Sequence, residues 1–347
     1  MYRRVLSLIM VVTASAMFVG CSNNGVSKGT EYVAEEANES ADSGSGVSTE
    51  TVETATYETS VEASAAESVS EIIEEDTSDD NNEAEDNAID IVFVGDSQYA
   101  NGRDAHTDIA TYVAWMVENS NVYNVGIGGS TASITNSESY IAGETISNTF
   151  VNVANVIAGN AGADTISDET VASSISNINA ANVDYYVIEY GYNDYMSKSL
   201  QSDEESAYDN HLYVDALCQG IDTLAAASPN AKFIVCSPSY CLVYDNSGKY
   251  LGDGNITDFG YGTLADYVNS CEGAANAKGA IYIDMYYGTE MDINSYTVDD
   301  YTEDGLHLCQ KGRYMYATVV AHYINKNLGI DNEELNTLIF NKFEYDG

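Results

Sequence analysis

The sequence predicts an α/β domain: one doubly wound parallel sheet of about five strands, flanked by helices and preceded by a disordered acidic tether. Three observations carry this. Residues 89–94 (IDIVFV) form an almost unbroken apolar run, as a strand buried on both faces of a parallel sheet requires. The run stops at Gly95-Asp96-Ser97. A small polar turn straight after a buried strand lies at the carboxyl end of the sheet, where open α/β folds place their ligands. From there onward, strands alternate with amphipathic stretches, the pattern of crossover helices.

The amino terminus stands apart from that domain. Residues 1–20 read as a targeting signal. Arg3 and Arg4 supply the charged start, and 5–19 are an apolar run, shorter than the roughly 20 residues a spanning helix needs. Gly20-Cys21 follows. Residues 21–88 are rich in Glu, Ser, Thr, Ala and Asn and contain no Pro, Phe or Trp. Such a segment cannot bury enough apolar surface to offset the entropy of ordering, so a disordered acidic linker is expected. Its acidity weighs on the whole chain, whose net charge of −43 comes from 55 acidic and 12 basic residues. Phosphate contacts need clustered Lys and Arg, so no nucleic-acid partner is expected. The whole chain has 28 tyrosines and 44% hydrophobic residues, enough to leave the domain able to build a core.

Within the domain, 108–118 places apolar residues at helical spacing and 121–125 is a short strand. Two helical regions at 148–158 and 168–179 lead to a strong strand, 183–190 (VDYYVIEY). A long helix over 208–227 stops at Ser228-Pro229. Strands at 231–237 and 280–284 flank a helix at 263–277, and a last helix covers 313–327. Five strands with helical crossovers make one flavodoxin-like sheet over residues 89–330, with 331–347 as an acidic appendage.

The chemistry gathers at strand ends. Ser97 is a candidate nucleophile after the first strand. The second strand ends in a glycine cluster, NVGIGGST at 124–131, whose backbone N–H groups can approach a ligand closely. It is not G-x-G-x-x-G and no Walker lysine follows, so a nucleotide reading is weak. The third strand ends in Gly191-Tyr192-Asn193-Asp194, where the Asn193 amide can donate to an oxyanion. Near the carboxyl end, Asp304-Gly305-Leu306-His307 offers a general base in His307 and a carboxylate to fix its tautomer in Asp304. His106, His211 and His322 are the rival bases, the last two within helical patterns. A calcium loop at 300–305 is rejected, because its twelfth position is Lys311 rather than Glu.

Taken together, GDS at 95–97, NVGIGGST at 124–131, GYND at 191–194 and DGLH at 304–307 resemble the SGNH, or GDSL-like, hydrolases. The resemblance runs from about 89 to 328. It implies Ser97 as nucleophile, Asp304 and His307 completing a triad, and an oxyanion hole of the Ser97 and Gly129 N–H groups with the Asn193 side chain. It also implies a serine esterase that works through an acyl-enzyme without metal or cofactor. Gln98 departs from the pattern, standing where an apolar residue often follows the serine. Phe18-Val19-Gly20-Cys21 resembles the lipobox of bacterial lipoproteins, with Phe18 in place of the usual Leu. That likeness implies an exported chain anchored through a lipidated Cys21 to the outer face of a bacterial membrane. A plain secretory signal with a chance cysteine is the other reading, and it exports the chain as well.

The substrate expected is a small-molecule or polysaccharide ester, with O-acetyl groups on extracellular carbohydrate or wall polymer first. Longer acyl chains or thioesters are the alternative. A surface lipoprotein that binds glycans without turning them over is a second class, resting on tyrosines at 185–186, 190–195 and 282–287 that could stack on sugars or simply pack in strands. With Cys21 lipidated, five cysteines remain; Cys236 and Cys241 could pair, and small buried hydrophobes are the simpler reading.

Overall fold

A computed structural model describes residues 88–134, 148–203, 208–245 and 247–335. The expected signal peptide, Cys21, the acidic linker up to 87 and the end of the appendage lie outside the described residues. In chain order the elements are β1 (Ile89–Gly95), α1 (Ser97–Ala100), α2 (Ile109–Met116), β2 (Ser120–Asn124), α3 (Phe150–Ile157) and α4 (Glu169–Ser176). Then come β3 (Tyr185–Glu189), α5 (Tyr192–Met196), α6 (Tyr213–Ala227), β4 (Lys232–Cys236), β5 (Leu242–Tyr244) and β6 (Tyr250–Asp253). The last are α7 (Leu264–Ala277), β7 (Ile281–Ile283), α8 (Val298–Tyr301) and α9 (Gln310–Asn327).

The five expected strands form one sheet in the order β2-β1-β3-β4-β7, every neighbouring pair parallel. The chain leaves β1 toward β2 on one side, then returns past β1 to β3 and moves steadily the other way. With right-handed crossovers, that reversal puts helices on opposite faces of the sheet. The packing agrees, since α2 lies against α9 while α3 packs on α6 and α6 on α7. Both faces of β1 are covered as a result, and Ile91, Val92, Phe93 and Val94 are fully buried although successive side chains point opposite ways. The reversal also opens a crevice at the carboxyl ends of β1 and β3, the switch point where such sheets bind ligands.

Local signals set the helix starts. Asp108 and Thr149 accept from the Thr111 and Asn152 N–H groups to cap α2 and α3, and Thr263 with Asp266 forms a capping box on α7. The helix expected from 208 begins instead at Tyr213. Asp209 Oδ1 accepts the His211 N–H at 3.0 Å, a local turn that diverts the backbone from helix, and Tyr208 has φ +64°. The antiparallel β5–β6 hairpin was not expected; its Leu242 N–H donates to Gly305 O at 2.8 Å, tying it to the DGLH segment.

Tyrosine fills much of the core. Among the described residues, eight of the twelve largest fully buried side chains are tyrosines, Tyr185, Tyr186, Tyr190 and Tyr195 included. Most of their hydroxyls are used internally: Tyr185 donates to Asn327 Oδ1 at 2.7 Å, Tyr195 to Thr257 O at 2.9 Å and Tyr213 to Tyr190 O at 2.7 Å. The tyrosines of 185–186 and Tyr190 and Tyr195 therefore pack the fold and offer no surface to sugars. Cys236, Cys241 and Cys271 are buried free thiols, and Cys236 does not pair with Cys241. Beyond α9, Asp331 Oδ2 lies 2.7 Å from Nδ1 of His322 on that helix and Leu335 is buried, so the chain stays on the domain through residue 335. Among the described residues no helix is long and apolar enough to cross a membrane.

Candidate active site

β1 runs straight into the site. Asp96 turns the chain, its Oδ1 accepting the Gln98 N–H at 2.9 Å as the cap of α1, and Ser97 is the first residue of that helix. The 304–307 loop arrives from the other end of the chain. Asp304 Oδ1 accepts the N–H groups of Leu306 (3.0 Å) and His307 (2.8 Å), which winds the loop back on itself. Gly305 sits at φ +87° in that turn, and a Cβ there would lie 3.1 Å from Leu242 Cβ, so only glycine suits. The loop aims His307 at the nucleophile candidate: Nδ1 lies 2.7 Å from Asp304 Oδ2 and Nε2 3.1 Å from Ser97 Oγ. With Asp304 accepting from Nδ1–H, the Nε2 lone pair faces the Ser97 hydroxyl. Burial pushes Asp304 up, but its bonds from His307 and Leu306 win and hold it down at about 2. The same Asp304 bond raises His307 above the ordinary histidine value, against the opposing pull of burial.

The glycine loop after β2 is pinned over the end of β1. Ile127 N–H and Ser130 Oγ both donate to Gly95 O, at 2.9 and 3.3 Å. Gly129 lies between these anchors, exposed and at φ +76°. Neither its N–H nor that of Ser97 has an acceptor among the described residues. Asn193, on α5, reaches the same place and donates from Nδ2 to Ser130 O at 2.9 Å and to Asp96 Oδ2 at 3.0 Å. Asp194, fully buried next to it, accepts from Ala132 N–H, Ser133 N–H and Ser133 Oγ, clamping the far side of the loop. Burial carries its carboxyl up to about 6 in spite of those three donors. All the residues expected at the site and described here, Ser97, Gly129, Asn193, Asp304 and His307, thus meet at one end of the sheet.

A family profile described as GDSL-like Lipase/Acylhydrolase matches residues 91–320, from inside β1 into α9. The chain belongs to that family. It is accordingly an ester hydrolase of the α/β type. One solved structure superposes with a TM-score of 0.51 at 22% identity, covering 69% of this chain and 97% of its own. A "possible lipase" from Chitinophaga pinensis gives 0.48 at 16%, covering 70% and 100%. Est24, a carbohydrate acetylesterase from Sinorhizobium meliloti, gives 0.44 at 13%, covering 69% and 99%. No curated protein matches the chain.

For a GDSL-like hydrolase, the glutamine after the serine is unusual, and the structure shows its use. Gln98 is buried; its Nε2 donates to Leu306 O at 3.0 Å and its Oε1 accepts the Leu308 N–H at 3.2 Å. One side chain on the helix that Ser97 begins thereby grips the backbone on both sides of His307. The other histidines are placed differently. His211 pairs with Asp209 and His322 with Asp331, at 2.8 and 2.7 Å. His106 lines a separate cleft of about 260 Å³ with Arg103, Asp108 and Asn124. Asn124, read only as the start of the glycine block, is a hub: its Nδ2 donates to Tyr99 O and Asp108 Oδ1, and its Oδ1 accepts the Gly126 N–H.

Proposed function

We propose that the chain is a serine esterase that removes short-chain, chiefly O-acetyl, esters from extracellular carbohydrate or cell-wall polymer. The observation that carries this reading is the run of hydrogen bonds from Ser97 Oγ through His307 to Asp304 at the switch point. His307 Nε2 takes the hydroxyl proton as Ser97 Oγ bonds to the ester carbonyl carbon. The tetrahedral oxyanion is received by the Ser97 and Gly129 N–H groups and by Asn193 Nδ2, which shifts one bond from its resting acceptors to do so. The carbon–oxygen bond to the alcohol then breaks and His307 gives the alcohol its proton. Water, deprotonated in turn by His307, attacks the acyl-enzyme and frees the acid and Ser97. Asp304 keeps the imidazole in the tautomer these steps need.

Surroundings of His307 favour a polar alcohol. A cleft of about 450 Å³ beside it is lined by Asn101, Thr107, Glu303 and Arg313 among others. A leaving alcohol must lie near Nε2 to collect its proton, so this wall suits a hydroxyl-rich group better than a greasy one. Tyr244, 40% exposed on the β5–β6 hairpin, lies against Gly305 and adds an aromatic face of the kind sugars stack on. An acyl series from acetate to palmitate on one alcohol tests the reading. We expect kcat/KM to be highest at acetate; a maximum at long chains would make the protein a lipase-type hydrolase instead.

The lipobox-like Phe18-Val19-Gly20-Cys21 supports export and anchoring through lipidated Cys21 at the outer face of a bacterial membrane. A fatty-acid probe should label the wild-type protein in cells and leave Cys21→Ser unlabelled. Unlabelled wild type would contradict the anchor.

A further inference from the structure

Glu189 ends β3 and is the register partner of Gly95, directly across from the Ser97 turn. Its side chain is almost wholly buried, and among the described residues no N–H or hydroxyl donor reaches either carboxyl oxygen. What it meets is the buried carboxyl of Asp96. Two carboxylates have only acceptors to offer each other, so this contact is a hydrogen bond only when one acid keeps its proton. The donors around the pair decide which one. Asp96 accepts the Gln98 N–H on Oδ1 and Asn193 Nδ2 on Oδ2, both favouring its charged form, whereas Glu189 accepts from neither backbone nor side chain. These donors favour the charge on Asp96 and the proton on Glu189.

We propose that protonated Glu189 is a positioning residue of the ester-hydrolase site, holding the Asp96 carboxylate that fixes both the Asn193 amide and the Ser97 turn. The role rests on Ser97 being the nucleophile and Asn193 an oxyanion donor. An Asp96 left without this bond can rotate away from Asn193, and the amide loses the acceptor that keeps Nδ2 turned to the site. The environment suits a neutral acid. The titratable groups around Glu189 are Asp96 after β1, Asp194 on α5, Tyr190 on the same strand, Tyr99 on α1, Tyr213 on α6, Cys236 on β4, Cys271 on α7 and Tyr316 on α9. None of these is a cation. His307, which can become one, acts on Asp96. Burial first, and the Asp96 charge second, push Glu189 well above the usual carboxylate range.

The test compares Glu189→Gln, which keeps a donor toward Asp96, with Glu189→Leu, which has none, using p-nitrophenyl acetate and Ser97→Ala alongside. Glu189→Leu should lose about 10- to 100-fold in kcat with KM little changed, the scale of a small misplacement at the reacting atoms. Glu189→Gln should recover most of that loss. Wild-type kcat should also fall on the alkaline side as Glu189, held well above the usual carboxylate range, gives up its proton. Glu189→Gln has no such proton and should lack that limb. If Glu189→Leu does not fold, the pH comparison of wild type with Glu189→Gln decides alone. The role is overturned if Glu189→Leu matches wild type in kcat, if Glu189→Gln is as impaired as Glu189→Leu, or if the alkaline limb is absent from wild type or unchanged in Glu189→Gln. An active Ser97→Ala would instead fault the nucleophile, so the two failures are distinct.

Discussion

Replacing Gln98 by leucine restores the residue more usual after the serine in GDSL-like hydrolases, yet here it should damage the enzyme. Two bonds disappear, Nε2 to Leu306 O and Leu308 N–H to Oε1. The Leu308 N–H is buried, so leaving it without an acceptor costs about 1–3 kcal/mol, and the bond to the part-exposed Leu306 carbonyl adds about 0.5–1.5 kcal/mol. Burial of the leucine side chain returns about 1.5–3 kcal/mol, so global stability should fall by only about 1 kcal/mol. That return does nothing to hold the loop. Each transition state must then realign His307 without that attachment, and about 1.4 kcal/mol added to the barrier in this way lowers kcat about tenfold. Urea unfolding and initial rates on p-nitrophenyl acetate measure both quantities on the same sample. A Gln98→Leu enzyme with kcat within about twofold of wild type would refute the claim that this side chain grips the histidine loop.

Two further outcomes follow from the geometry. Because Asp304 raises His307, and catalysis needs the neutral imidazole, kcat/KM should climb with pH through an apparent value above the ordinary 6.5 or so; the residual activity of Asp304→Asn should titrate lower, and a profile flat from about pH 5 to 8 would point to another base. Asn193→Ala should cost on the order of 10²–10³ in kcat with little change in KM, whereas a change in KM alone would make Asn193 a substrate-binding residue.

Much of this was legible in the sequence because it rests on local grammar. The apolar run of β1 can end only at the edge of the sheet, so Ser97 had to emerge there; the DGLH segment carries its own turn, since Asp304 bonds backbone two and three residues on. Order along the chain then placed the blocks at one edge. What was not legible depends on partners far apart in sequence. Gln98 looked like a blemish in a motif until Leu306 and Leu308, some 208 and 210 residues away, supplied its bonds. Glu189 was hidden inside VDYYVIEY, although a carboxylate in an otherwise apolar buried strand was a signal in itself. The β5–β6 hairpin was signalled by Asn246-Ser247-Gly248 between two apolar stretches. Periodicity also ran the α6 helix back to 208, because it takes no account of a side chain such as Asp209 that competes for the backbone.

The central claim is that Ser97 Oγ forms the covalent bond to the acyl group. Treatment of the full chain with a fluorophosphonate, followed by peptide mass spectrometry, tests it directly. One adduct is expected, on the peptide containing Ser97, appearing as esterase activity disappears and absent from Ser97→Ala. An adduct on any other residue that tracks the loss of activity, or undiminished labelling of Ser97→Ala, would contradict it.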